Sequence, residues 1–324
     1  MNSDKTLLSE TISFAKEKRN LSWFHTLSTL ALVVGSLSLT LLNIHWGFKL
    51  LASVFSGLVL VRMFVIYHDF LHEAILKRSK IANVLFTIFG YYMLTPKTIW
   101  KRSHNYHHTN NSKLFRSGIG SYPVYTKSRF EKLSSKDQSL YLFVRHPLVI
   151  LFGYFFTFLY GMCIQSLVKS FRKHLDSLVA LLFHFTLHTS IFLFFGWEAI
   201  IWFSLIPHVI SGGLGAYLFY AQHNFPDVQY QVDQNWTYEG AALDASSFLN
   251  TSQFMNWVSA NIGHHHIHHL NARIPFYRLP EIMRNVDALK NPKMTTLKVQ
   301  DIIACLRLKV WDTELNKMVS VSKF

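Results

Sequence analysis

The chain has 324 residues, half of them hydrophobic and only 15% charged, with 28 phenylalanines and a positive mean hydropathy. That composition excludes an ordinary soluble domain of this size and predicts several membrane spans. The net charge of +14 falls between apolar blocks and comes with no nucleic-acid motif. Basic cytoplasmic loops therefore explain it better than a nucleic-acid partner does.

Residues 1–24 are polar, carry mixed charge and lack the pattern of a cleaved signal, which predicts a cytoplasmic amphipathic segment. The stretches 26–44 and 47–67 each reach the roughly 20 apolar residues needed to cross a bilayer. The short link Ile44–Trp46 makes them a helical hairpin. Residues 81–95 are apolar too, but as a helix they rise only about 22 Å, short of a hydrocarbon core about 30 Å thick. An interfacial or re-entrant helix ended by Pro96 fits better. Three apolar blocks follow at 147–168, 178–195 and 199–221. The last two, joined by Gly196–Glu198, form a second hairpin, and 147–168 lies in the interface or dips partway. Residues 222–324 contain no further span and show turn signals at Pro275, Pro280 and Pro292.

The expected fold is all-α: a polytopic membrane bundle of about four spans plus interfacial helices, with a cytoplasmic helical cap. It divides into an N-terminal segment 1–24, a membrane domain 25–285 and a C-terminal tail 286–324. Charge supports this topology. The outer links 44–48 and 196–198 hold no Lys or Arg, whereas Lys77, Arg78, Lys97, Lys101, Arg102, Lys169, Arg172 and Lys173 all fall on the inner side.

Histidine spacing carries the chemistry. His68 and His72 stand in an HxxxH spacing; His104, His107 and His108, and again His265, His268 and His269, stand in HxxHH. On a helix, positions i, i+3 and i+4 share a face, so each cluster points its imidazoles at one place. With His223 as a further candidate, these are too many ligands for one ion, and the spacing suggests two. Imidazoles without carboxylates favour a borderline transition metal over magnesium or calcium. Ligand type alone admits zinc; beside spans that shield a lipid chain, two redox-active ions suggest dioxygen activation. The adjacent Asp69, Glu73, Asn105 and Asn110 are candidates to orient the rings through their second nitrogens. His184 and His188 repeat the HxxxH spacing inside a predicted span; with His208 they are assigned to a polar inner side of the bundle rather than to metal. The two cysteines, Cys163 and Cys305, build neither a disulfide framework nor a cysteine-ligated metal site.

The order HxxxH, HxxHH, HxxHH with spans between resembles the membrane fatty acid desaturases, which are non-haem di-iron enzymes. The run from Trp100 to Asn110 is similar to that family's second histidine box. The run from Asn261 to Leu279 resembles the third box of the acyl-lipid branch, with Leu270, Ile274, Pro275, Tyr277 and Leu279 in its pattern. The segment from Tyr220 through His223 and Trp236 to Ser246 and Ser247 is also similar, and the likeness runs from about residue 50 to 285. It implies that His68, His72, His104, His107, His108, His265, His268 and His269 ligate two irons, with His223 as the additional ligand. His264 and His266 are extra histidines beside the third box.

The implied reaction is oxygen-dependent removal of two hydrogens from a lipid-linked acyl chain, with dioxygen as co-substrate. The electrons come from an external donor, a ferredoxin or a b-type cytochrome. The sequence encodes no haem or iron–sulfur motif, since His146–Leu148 does not match the cytochrome's His-Pro-Gly-Gly. The implied setting is a multi-pass membrane protein among membrane lipids, with a cytoplasmic active site, in a bacterial inner membrane, the endoplasmic reticulum or a plastid. Two alternatives stand beside it: a di-iron hydroxylase or ketolase acting on an alkane, sterol or carotenoid, and a membrane metal transporter.

Overall fold

The structure is a computed structural model describing residues 6–114, 119–231 and 235–321. It is mostly helical, 69%. Three helical stretches among the described residues are long and apolar enough to cross a membrane: Arg19–Thr40 (α1), Trp46–Leu71 (α2) and the 47 residues Leu175–Ala221. The chain divides into two compact units. One is built from Lys18–Lys101 and Ile150–Ala216, the other from Met1–Glu17, Arg102–Val149 and Tyr217–Phe324.

In the first unit, α1 and α2 form the expected hairpin. Hydroxyls in α1 donate back to the preceding turn, as Thr26 Oγ1 does to the Ser22 carbonyl at 2.8 Å, so they bring no unpaired donor into an apolar helix. Others bond across the pair: Ser56 Oγ meets Ser36 Oγ at 2.8 Å, and buried Arg62 donates to Thr29 Oγ1 at 3.1 Å. Helix α1 begins at Arg19, earlier than the apolar run alone implies. Beyond α2, Glu73 takes a left-handed conformation (φ 60°) and ends the helix just after His72. Helix α3, Lys80–Tyr92, is capped by Ser79 Oγ, which accepts from the Ala82 N–H, and Leu94 (φ 55°) stops its continuation. Helix α4, Lys97–Asn110, follows at once.

The third apolar stretch bends sharply on itself. Gly196 adopts φ 80° and ψ 178°, a conformation essentially closed to residues with a Cβ, and breaks α5 (Leu175–Ala199) near its end, so that the chain turns back before α6 (Ile206–Ala221). The His184 and His208 rings, equidistant in sequence from Gly196, lie 5.2 Å apart, and His188 bonds Ser204 in the same symmetric way. Ser53 Oγ of α2 donates to the Trp202 carbonyl at 2.6 Å, fixing the second arm against α2. Leu51, Leu182, Leu193 and Phe194 point outward, an apolar surface that suits lipid rather than water. Residues 147–168 form no continuous α-helix: Pro147–Leu151 gives way to wider π-helical turns over Tyr154–Ile164.

The second unit departs from the all-α expectation. Two three-residue strands, β1 (Phe248–Asn250) and β2 (Met294–Thr296), pair in parallel, Leu249 opposite Thr295. After the helix Val299–Arg307, β3 (Val310–Asp312) and β4 (Lys317–Val319) make an antiparallel hairpin. Trp311, Met318 and Cys305 are buried with Leu114, Phe225, Val228 and Tyr230, so the residues beyond 286 form part of a core. Cys163 and Cys305 are both free and buried.

Gly196→Ala is expected to destabilise the chain by about 1–3 kcal/mol through backbone strain. Gly35→Ala, in α1 with nothing near the added methyl, should be neutral or slightly stabilising. Thermal unfolding of both variants in detergent checks the bend, and an unshifted midpoint for Gly196→Ala would contradict it.

Candidate metal centre

The helical period does what the spacing requires. Helix α4 carries His104, His107 and His108 on one face, and α7, the short helix His265–Leu270, does the same with His265, His268 and His269. All six are buried. The approach to α7 is tight, because the Leu249 N–H donates to the Gly263 carbonyl at 2.8 Å and a Cβ on Gly263 would sit 2.9 Å from the Leu249 oxygen. His223 stands just past the end of α6, without a helix of its own.

These side chains gather into two groups. In one, His108 Nε2 lies 3.1 Å from His104 Nε2 and 3.1 Å from His268 Nε2. In the other, His223 Nε2 lies 3.0 Å from His107 Nε2 and 2.9 Å from His265 Nε2, and His269 joins them, its ring centred 4.7 Å from that of His223. Within each group the ligand atoms lie inside 4.8 Å of one another. An ion about 2.1 Å from each nitrogen would put two ligands at right angles about 3.0 Å apart, and tetrahedral ligands about 3.4 Å apart. The observed 2.9–3.1 Å separations match the right-angled, octahedral-type arrangement.

Proton positions point the same way. His223 Nδ1 faces the Ala245 carbonyl at 2.9 Å, and since a carbonyl only accepts, that nitrogen carries the proton and Nε2 presents a lone pair. His269 Nε2 is buried with no hydrogen-bond partner. Burial lowers the His223 pKa to about 4. Burial also holds His269 well below the ordinary value, helped by the rings of His108, His265, His223 and His107. Neutral, buried imidazoles converging with no carboxylate in either group fit borderline transition-metal ions.

In the other unit, the His68 and His72 rings pack 4.6 Å apart, with the Trp100 indole edge-on to both. His68 Nδ1 meets Asp69 Oδ1 at 3.1 Å, a carboxylate–imidazole pair that orients the ring. Glu73 instead bonds Lys77 and Lys101. Asn110 Nδ2 donates to the Tyr106 carbonyl and to Thr109, and the Asn105 carbonyl accepts from Thr109 Oγ1. The Ala245 carbonyl and the Tyr230 hydroxyl, which donates to the His223 carbonyl at 2.9 Å, are partners that spacing did not suggest. Neither leaves a local signature, because one is backbone and the other reaches across a loop.

The remaining histidines lie elsewhere. His264 packs on Phe248 at 4.8 Å with Nδ1 on the Asn261 carbonyl, and burial lowers its pKa to about 4 and that of His266 to about 3. His184 bridges the Tyr92 carbonyl and the Tyr154 hydroxyl at 2.9 and 2.8 Å; His208 faces the Ser204 and Tyr92 carbonyls. These rings sit on the polar inner side of the bundle and belong to neither metal group.

Comparison with known proteins decides the family. The sequence model for fatty acid desaturases matches residues 44–296. The chain belongs to the fatty acid desaturase family. It is 28% identical over 319 residues to a fatty acid desaturase of Bacillus subtilis (strain 168), covering 98% of this chain and 90% of that one. It is 23% identical to the sn-1 oleoyl-lipid 12-desaturase of Anabaena variabilis, covering 82% and 75%. It is 24% identical to the sn-1 acyl-lipid omega-3 desaturase (ferredoxin) of Nostoc sp. (strain 36), covering 76% and 68%. Desaturases are oxidoreductases of lipid metabolism, and the apolar helices and histidine groups suit a membrane-bound, metal-dependent member.

The lowered histidine pKa values imply a pH dependence. An unfolded histidine takes up its proton near pH 6.5, whereas folded His223 resists protonation until about pH 4. Between those values the unfolded chain binds more protons, so stability rises with pH there. Thermal midpoints are expected to fall as pH drops from about 6.5 to about 4. His223→Asn should reduce that fall, the other buried histidines keeping the rest.

Proposed function

We propose that this desaturase holds two irons and uses dioxygen to place a double bond in the acyl chain of a membrane lipid. The convergence of imidazole nitrogens at 2.9–3.1 Å in two neighbouring groups carries the reading. His104, His108 and His268 would hold one iron, and by the family's box pattern His68 and His72 would also be iron ligands. His107, His223, His265 and His269 would hold the other. When bound, the irons supply the oxidising power that takes hydrogen from two adjacent methylenes while dioxygen is reduced to water.

The chain's own residues bind, orient and exclude. The Ala245 carbonyl and the Asp69 carboxylate fix the tautomers of His223 and His68. Burial of every ring in both cap groups shields them from bulk solvent. Apolar spans favour an acyl chain by about 0.8 kcal/mol per buried methylene. The relatives named as acting on sn-1 acyl lipids favour a glycerolipid over a free acid. The electrons require a separate donor, and the ferredoxin in the name of the Nostoc relative favours a ferredoxin. Lys77, Arg78 and Lys97 offer it positive charge, and opposite charge speeds encounter. With four crossings and both hairpins returning to the cytoplasm, the histidines would lie on the side where such donors reside.

Expression in a host lacking the gene, followed by gas chromatography–mass spectrometry of its lipids, tests the reaction. New double bonds in glycerolipid acyl chains are expected; a new hydroxyl or keto group would overturn desaturation in favour of oxygenation. Purified protein should contain two irons. Replacing His107, His108, His268 or His269 with Ala should abolish desaturation with the protein still in the membrane. Replacing His184 or His188 with Ala should leave the iron content unchanged.

A further inference from the structure

Arg145 is 0% exposed in the second unit, and no carboxylate among the described residues pairs with it. Its guanidinium cannot shed a proton, and a buried charge persists only where hydrogen bonds and ring faces compensate it. Nη2 donates to the Pro123 carbonyl and Nη1 to Asn224 Oδ1 at 3.4 Å. The rings of Tyr141 and Tyr220 lie 4.8 and 5.6 Å from its central carbon, and Nε has no partner. Asn224 directly follows His223.

His223 has a problem that the other histidines of the cap do not share. Helices α4 and α7 fix their rings by periodicity, whereas α6 ends at Ala221 and leaves His223 in a turn. Its Nε2 must nevertheless hold two other nitrogens within 2.9 and 3.0 Å. The turn is held by Asn224, whose Nδ2 donates to the carbonyls of Cys305 (2.7 Å) and Leu308 (3.2 Å) while its Oδ1 faces Arg145. Tyr220 Oη donates to the same Leu308 carbonyl, and Lys309 Nζ donates to the Arg145 carbonyl at 2.8 Å. Arg145, Tyr220, His223, Asn224 and Tyr230 together line a cavity of about 10 Å³, room for roughly one water.

We infer that Arg145 is a positioning residue: acting through Asn224, it locks the His223 turn onto the Cys305–Lys309 segment and thereby sets the fourth imidazole of one metal group. That segment lies beyond the part of the chain that matches the family pattern, which ends at residue 296. The inference rests on the two-iron reading above. Removing the guanidinium frees Asn224 Oδ1, slackens the turn, and releases the ion that His223 helps to hold while the other stays.

Iron per folded chain and the magnetic signal of the oxidised protein test this in full-length protein. The wild type should carry two irons, magnetically coupled; fewer than two would overturn the two-iron reading itself. Arg145→Met, which keeps the stem between the tyrosine rings, and His223→Ala should each retain about one iron and show the signal of an isolated ferric ion. The double variant should lose no more than either alone, because both changes act on one ligand. Asn224→Ala cuts the same link with Arg145 intact, should match them, and decides the matter if Arg145→Met does not fold. Two coupled irons retained in the Arg145 and Asn224 variants, or losses that add in the double variant, would overturn the inference.

Discussion

The structure depends on one electrostatic constraint: seven imidazoles of the second unit share a buried volume with no carboxylate in either group. Neutral imidazole carries one proton, and two facing nitrogens 3 Å apart can share it in a hydrogen bond. Around His223 that arrangement falls short. Its Nδ1 proton is committed to the Ala245 carbonyl, leaving a single lone pair on Nε2 between two other Nε2 atoms. A positive charge that collects the lone pairs of all three resolves the crowding, and protonation does not, because burial lowers these pKa values. The buried, carboxylate-free arrangement is therefore one that a metal ion would satisfy.

That demand is met in two ways. Helices α4 and α7 place three rings each by periodicity, so their geometry is built into the backbone and needs little outside support. His223 is held from outside, by hydrogen bonds from Tyr230 and Asn224 and by the C-terminal strands packed around Phe225 and Tyr230. The centre is therefore rigid where helices make it and dependent on distant packing where they do not.

The same division governs what was legible in the sequence. The boxes and the α1–α2 hairpin could be read because a helix imposes a period of 3.6 and a bilayer a minimum apolar length. Spacing alone did not separate His68 and His72 from His184 and His188. Their partners do: His184 and His188 spend their nitrogens on Tyr92, Tyr154 and Ser204. Element ends were harder, since α1 runs out to Arg19 and α3 stops at Tyr92, where Leu94 enters a left-handed turn. Strands of three residues are too short to show alternation, so β1–β4 were missed. Arg145 left no trace, because its meaning lies in its contact with Asn224, 79 positions away.

A rigid centre has a consequence for selectivity. Methylenes are alike, so an apolar passage holds an acyl chain firmly without registering it: a slip of one carbon changes burial by only about 0.8 kcal/mol. Rings locked by carbonyls and neighbouring imidazoles cannot shift to follow such a slip. On the proposed reaction, the bond oxidised would then be set by the distance from a polar group at the end of the acyl chain to the histidines. On that reading, regiochemistry would be a length measured from the headgroup, and residues that change the length of that path, rather than the histidines themselves, would change the position of the product's double bond.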